Sequence, residues 1–308
     1  MTDYVNIHFL RTHAELIPLP ALTPAHLSNL DSVLNSIPHD YAPLERETRV
    51  RTTVLRELES FVRELFPDSS LQMFGSSVNG FGFRNSDMDI CMTLGGHYDE
   101  DGLSDVDVKK IIESLAKKFR SHRDLTNVFA ITTAKVPIVK FTFTHGRGSG
   151  ATRLDGDISL YNTLALHNTR MVAFYADIDP RVKTLGYVMK VFAKLCDIGD
   201  ASRGSLSSYA YVILALHYLQ QRRPPVIPVL QEIDHLEADG KRKRTIVDGW
   251  NAWYFKGTKE ELIELWPGWG KNKETVGELW IGLLRYYTEE FPLKDQVVTI
   301  KQFAPLTR

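Results

Sequence analysis

The period of the hydrophobic pattern changes near residue 160, and that change narrows the architectures open to this chain. Before it, short apolar runs alternate with Gly-, Ser- and Asn-rich loops. Leu71–Phe74, Asp87–Leu94 and Val136–Phe143 read as strands, rich in β-branched and aromatic residues and bounded by turn formers. Pro137 puts the start of the third near a sheet edge, and a Gly-rich hairpin at His145–Arg153 leads to a further strand from Leu154. Amphipathic helices are predicted at Leu44–Phe66 and Val106–Phe119. After residue 160 helical spacing takes over, at 164–177, 180–196, 207–221 and 275–291, with a loop-rich insert from Arg222 to Trp269. Residues 1–20 read as a lead-in, and Thr23-Pro24 opens a helix that Pro38 is expected to end. The expected fold class is α+β and bilobal: a small mixed sheet with helices over residues 50–160, and a mainly helical unit from 15–49 and 161–308. The N-terminal helices are expected to pack with the helical unit.

A chain of 308 residues with 37 Lys+Arg against 38 Asp+Glu has no global basic character. A local basic groove for nucleic acid remains compatible with that balance. Only Cys91 and Cys196 are present, which excludes a Cys-rich zinc site and suits a reducing compartment. No apolar run reaches the ~20 residues of a membrane span, and no secretory signal is visible, so no membrane partner is expected and the cytoplasm is the expected location.

Chemistry concentrates between residues 75 and 89. Asp87 and Asp89, two apart on a strand, project to one face. Like charges so close repel unless a cation lies between them, and hard oxygen donors suit Mg²⁺ completed by substrate phosphates. A bare Asp-x-Asp is also what a solvated acidic turn looks like. Three neighbours favour the metal reading. Gly75-Ser76-Ser77 follows a strand, as a phosphate-approaching turn does. A Gly- and Asn-rich loop, Val78 to Ser86, joins it to the carboxylates. Asp157, reached through the hairpin, can bring a third carboxylate beside the first two, the protein half of a two-metal site.

The run Phe74-Gly75-Ser76-Ser77-Val78-Asn79-Gly80-Phe81-Gly82-Phe83-Arg84-Asn85-Ser86-Asp87-Met88-Asp89 resembles the signature of polymerase-β-like nucleotidyltransferases. It is most similar to their RNA terminal uridylyltransferase branch. Further matches are Val136–Lys140, Asp157–Asn162, Ala165–Thr169, Val188–Lys194 and Arg203–Tyr211. The wording is closest to the catalytic module of zinc-knuckle-containing terminal uridylyltransferases, and the likeness runs from about residue 15 to the C-terminus.

That resemblance implies roles. Asp87, Asp89 and Asp157 would bind the metals, Mg²⁺ with Mn²⁺ as an alternative, and Asp155 is passed over because the family ligand precedes Ile-Ser. Gly75 and Ser76 would hold the triphosphate, with Lys190 and Lys194 one helical turn apart on the same face, and Ser208 adding a contact. Tyr209 would stack on the base. Asn168, flanked in its motif by Ala165 and Thr169, would read the ribose 2′-hydroxyl, and Asn162 would lie near the base or the RNA 3′ end. His167 is read as structural. The implied activity is template-independent transfer of UMP from UTP to the 3′-hydroxyl of single-stranded RNA, with pyrophosphate released. The implied fold is a small nucleotidyltransferase domain facing a helical central domain across a cleft.

Some features carry less. Lys241-Arg242-Lys243-Arg244 is a phosphate contact, a solvated loop or a localisation signal, and the five tryptophans late in the chain are read as packing. The sequence stops before the family's acidic-Pro-Phe stretch and His-Asn pair that discriminate uracil from adenine, so a base-recognition segment is expected to be missing. Two alternatives stay open: a terminal adenylyltransferase, or a non-catalytic RNA-binding scaffold on the same fold. Protein partners are not legible.

Overall fold

The computed structural model describes residues 22–95, 107–238 and 240–308. The lead-in, Gly96 and Val106 lie outside these residues. Helix α1 spans Pro24–Tyr41 and α2 Glu45–Arg63. Strands β1 (Ser69–Phe74) and β2 (Met88–Leu94) follow, then α3 (Val108–Phe119), β3 (Leu125–Ile131), β4 (Ile138–His145) and β5 (Thr152–Leu160). The five strands form one mixed sheet in the order β1-β2-β5-β4-β3. Only β2 and β5 run parallel; every other neighbour is antiparallel.

Alternation along the strands decides which side chains meet the core. Met88, Ile90 and Met92 of β2, Val139, Phe141 and Phe143 of β4, and Leu154, Ile158 and Leu160 of β5 are all buried. They pack with Val54, Leu58 and Val62 of α2 and Ile112, Leu115 and Phe119 of α3. With a period of two, the odd residues of β2 and β5 and the even residues of β4 must face the other way. That opposite face carries Asp89, Asp157, Asp155 and Lys140.

The helical unit comprises α4 (Thr163–Ile178), α5 (Pro180–Leu195), α6 (Ser208–Gln221), α7 (Lys259–Leu265) and α8 (Val276–Arg285), the last continued by one π-turn, Tyr286–Glu290. Two short ladders complete it: β6 (Ile246–Val247) with β7 (Trp250–Asn251), and β8 (Gln296–Val297) with β9 (Leu306–Thr307). Its core gathers Val172 and Tyr175 of α4, Leu185 and Tyr187 of α5, Leu216, Tyr218 and Leu219 of α6, and Leu279 and Leu283 of α8. Phe81, from the loop between β1 and β2, is buried in this second core, so the loop bridges both units.

Four sequence readings need correction. Pro38 does not end α1, which runs on to Tyr41. The loss of one N–H is tolerated in a last turn whose carbonyls have other donors. Arg84 supplies them: its Nε donates to Ala42 O at 3.0 Å, its Nη2 to His39 O at 2.7 Å and its backbone N–H to Tyr41 O at 2.8 Å. β4 is not at an edge, because β3, which carries little apolar alternation, pairs outside it. Asp87 sits just before β2 rather than within it. Of the N-terminal helices only α1 packs on the helical unit, through Leu34 against Val188 and Val276; α2 belongs to the sheet.

Candidate active site

Parallel pairing of β2 with β5 sets Asp89 directly beside Asp157. The antiparallel pairing of β5 with β4 sets Lys140 beside Asp157 on its other flank, Nζ 3.9 Å from Oδ1. Asp89 and Asp157 therefore stand side by side on one sheet face, with Asp87 just ahead of β2 close enough to act on both. Burial, then Asp157, then Asp87 push the Asp89 carboxyl up to about 6. Burial also raises Asp157, against the opposing pull of Lys140 and with Asp87 and Asp155 adding to the rise. Asp157 Oδ1 is buried without a hydrogen-bond partner, whereas Asp155 is engaged, accepting from Thr142 Oγ1 at 2.5 Å.

The turn after β1 is shaped around these carboxylates. Gly75 has φ +64°, and a Cβ there would lie 2.6 Å from Asp89 Oδ2, so any other residue would strain the turn and displace the carboxylate. Its N–H donates to Thr169 Oγ1 of α4 at 2.8 Å. From below, Arg51 of α2, only 2% exposed, grips the loop at both ends. Its guanidinium donates to Ser77 Oγ at 3.1 Å, to Ser86 O at 2.5 Å and to Glu47 Oε1 at 3.2 Å. Ser77 Oγ in turn donates to Asp87 O at 3.0 Å, and Glu47 accepts from the Asn85 N–H at 2.6 Å. This buckle was not found from sequence; a helix reading Glu-x-x-x-Arg looks like an ordinary surface pair.

Two cavities hold further predicted residues, the first of them bordering the turn. One, of about 360 Å³, is lined by Ser76, Ser86, Lys190, Lys194 and Ser208 together with Phe83, Asp197 and Asp200. Lys190 is buried; its Nζ donates to Phe81 O and stands 4.3 Å from the Phe83 ring centroid, and burial brings its pKa down to about 8. Lys194 Nζ approaches the same ring at 5.9 Å. The second cavity, of about 430 Å³, is lined by His167, Asn168, Tyr209, Ile213, Trp250, Trp253 and the stretch Val298–Lys301. Helix α6 serves both: Ser208 lies in the first and Tyr209, one residue on, in the second. Tyr209 is 43% exposed, a flat aromatic face open to the cavity.

The predicted residues thus fall into three groups: Asp89 and Asp157 on the sheet with Asp87 just before β2; Ser76, Lys190, Lys194 and Ser208 around one cavity; Asn168 and Tyr209 around an aromatic one. Gly75 and Thr169 join the turn to α4. Ala165 lines neither cavity, and Asn162 sits at the N-cap of α4 without a side-chain cap bond. Sequence reasoning missed His167, Trp250, Trp253 and Val298–Lys301 as cavity residues. Trp266, Trp269 and Trp280 do pack against the core, as read.

Residues 30–177 match the family model described as poly(A) RNA polymerase, mitochondrial-like, central palm domain. The chain is 53% identical over 293 residues to human terminal uridylyltransferase 7, covering 95% of this chain and 19% of that protein. It is 55% identical over 295 residues to mouse terminal uridylyltransferase 4, with 95% and 17% covered. It therefore spans under a fifth of the length of these relatives. A crystal structure of the Cid1 poly(U) polymerase, from work on its UTP selectivity and bound to MgGTP, superposes with a TM-score of 0.75 at 26% identity, covering 91% of this chain and 80% of that one. The mixed sheet and these likenesses agree: the chain has the polymerase-β-like nucleotidyltransferase fold and is similar, over nearly all of its length, to one part of the terminal uridylyltransferases.

Proposed function

We propose that this chain transfers UMP from UTP to the 3′-hydroxyl of single-stranded RNA without a template, releasing pyrophosphate. The reading rests on one observation: the Asp89–Asp157 pair lies in register beside a turn, Gly75–Ser77, whose Ser76 lines a cavity with two lysines, while Tyr209 and Asn168 line a second cavity joined to it by α6. The relatives named terminal uridylyltransferases and the poly(U) polymerase likeness support uridine as the base transferred.

The carboxylates fit a divalent metal. Among the described residues no three His, Cys, Asp or Glu side chains form a ready-made cage. Mg²⁺ does not need one, since it takes one or two carboxylates and completes its shell with substrate phosphates and water. The raised Asp89 carboxyl and the Asp157 Oδ1, which has Lys140 as a 3.9 Å ion-pair neighbour but accepts no hydrogen bond, are oxygens whose burial makes a cation welcome. Asp87, Asp89 and Asp157 would hold the ion or ions, Mg²⁺ first and Mn²⁺ as substitute, which supply charge neutralisation at the triphosphate and acidify the 3′-hydroxyl.

The chain's own residues do the rest. Ser76, Ser208, Lys190 and Lys194 would bind the β- and γ-phosphates and receive the charge that develops on the leaving pyrophosphate. Tyr209 would stack on the base and Asn168 would hydrogen-bond the ribose 2′-hydroxyl. The new bond joins the RNA 3′-oxygen to the α-phosphorus, and the bond to the bridging oxygen of the β-phosphate breaks. Asp157, with its carboxyl basicity raised by burial, is the acceptor available for the 3′-hydroxyl proton. Holding the nucleotide in line with the hydroxyl is the larger part of the rate gain. Among the described residues no helix is long and apolar enough to cross a membrane; with two free cysteines, the cytoplasm is the proposed site of action.

The test is extension of a labelled single-stranded RNA with Mg²⁺ and each ribonucleoside triphosphate separately, alongside Asp89→Ala. Extension by UTP in preference to the others, lost in the variant, is expected. Equal extension by ATP would replace the reading with an adenylyltransferase, and none with any nucleotide would favour a scaffold.

A further inference from the structure

One wall of the aromatic cavity is not made by any motif of the transfer chemistry. Val298–Lys301, in the stretch between β8 and β9, lines the cavity with Tyr209 and Asn168. These residues lie outside the two-residue ladder that pairs β8 with β9, so something else must fix their backbone.

That something is the far end of α6. His217, 5% exposed, has its Nδ1 2.7 Å from Thr299 O. A carbonyl only accepts, so Nδ1 carries the proton and Nε2 is left as an acceptor. Tyr286 Oη, 3.3 Å away, donates to it, and the ring packs edge-on against Phe291 at 5.4 Å. Both ring nitrogens are used, one tautomer is selected, and burial favours the neutral ring that this arrangement requires. One helical turn on, Gln220, 1% exposed, donates from Nε2 to Ile300 O at 3.3 Å, with Tyr175 Oη at 2.9 Å and Pro228 O at 3.2 Å sharing the same amide. Tyr209, Ile213, His217 and Gln220 step by four, four and three residues, so they share one side of the helix. The residue that faces the base and the residues that hold the opposing backbone are thus mounted on a single rigid rod.

We propose that His217, backed by Gln220, is a positioning residue that fixes the Val298–Lys301 wall against Tyr209, and thereby sets nucleotide affinity and the preference for uridine. The inference rests on the reading of this cavity as the nucleoside site. A purely apolar contact would bury α6 against the tail equally well; a directional bond to Thr299 O sets where that backbone stands.

The test compares His217→Asn with His217→Gln. The Asn amide occupies the place of Nδ1 and keeps a donor for Thr299 O; the Gln amide reaches the place of Nε2 and leaves that carbonyl unpaired. UTP affinity is measured by direct titration in the presence of Mg²⁺, KM and kcat by RNA extension, and the backbone of residues 296–302 by amide hydrogen exchange. The expected result is that His217→Gln weakens UTP binding and raises KM about five- to tenfold, the loss of about one hydrogen bond, with kcat within about twofold. It also lowers the UTP-over-ATP preference and speeds exchange in 296–302. His217→Asn stays within about twofold of the parent on every readout. Equal UTP affinity and selectivity in parent and His217→Gln, both folded, would overturn the inference and leave the transfer reading intact. Failure of the parent itself to bind UTP would remove the nucleoside site, and the inference with it.

Discussion

Asp89→Asn tests the idea that the site is held in an unfavourable state for the sake of metal and nucleotide. In the parent, burial, Asp157 and Asp87 raise the Asp89 carboxyl from an ordinary 3.8 to about 6. A folded-state pKa above the unfolded one means that the native state binds the proton more tightly. The contribution of this group to stability is therefore fully present below about pH 3.8 and is lost as pH rises through about 6. The difference amounts to about 3 kcal/mol at neutral pH. Asparagine has nearly the same shape and no charge to desolvate, so the substitution removes that cost. Measured by urea unfolding in chelator, Asp89→Asn should be more stable than the parent at pH 7, by up to about 3 kcal/mol. The advantage should shrink toward zero near pH 4, while RNA extension is abolished. Added Mg²⁺ should stabilise the parent and not the variant. A variant less stable than the parent at pH 7, or an advantage that does not depend on pH, would refute the reasoning.

Other outcomes follow from the same geometry. Lys190, lowered to about 8 by burial, loses its charge as pH rises past that value, so UTP affinity of the parent should fall up to about tenfold per pH unit above 8. In Lys190→Arg, which stays charged, titration of UTP between pH 7 and 9.5 should give a flatter profile. Tyr209→Ala should raise the Kd for UTP by a factor of about 5 to 150, corresponding to about 1–3 kcal/mol of stacking, whereas Tyr209→Phe should retain most of the affinity; equal loss in both would show that the ring is not a stacking platform. Arg51→Met takes from the half-buried Glu47 its cationic partner, leaving it the Asn85 N–H, and frees both ends of the Gly75–Asp87 loop, and chemical unfolding should show a loss of about 2–4 kcal/mol. Asn168→Ala should narrow the preference for UTP over dUTP in single-nucleotide extension, with little change in melting temperature.

Much of the sheet was readable because it is local. The alternation Met88-Asp89-Ile90 tells which side chains meet the core, and the Gly75 turn announces itself through a glycine that the Asp89 carboxylate crowds. Even Asp157 was within reach, because a hairpin after β4 leaves β5 few places to go. What escaped depends on distant pairing. β3 has exposed Phe129 and Ile131 and no clean alternation, so it looks like a connection until β4 is there to pair with it. Pro38 looks like a stop until Arg84, 46 positions on, caps the helix beyond it. Arg51 and Glu47 look like a surface pair until the loop folds over them. Trp250 and Trp253 read as packing because nothing near them in the chain says that their hairpin stands beside α6. The stretch 298–301, which carries no motif or periodicity to read, lines the aromatic cavity through bonds to His217 and Gln220 that span about eighty residues of chain.

The central claim is that the three carboxylates and the two cavities are one metal–nucleotide site. Its most direct measurement is equilibrium titration of UTP into the parent, Asp157→Asn and Lys190→Met, each with Mg²⁺ and with chelator. The account predicts that the parent binds UTP with Mg²⁺ and far more weakly without it, and that each substitution removes most of that binding while leaving the protein folded. UTP binding by the parent that ignores the metal, or that survives both substitutions, would contradict it.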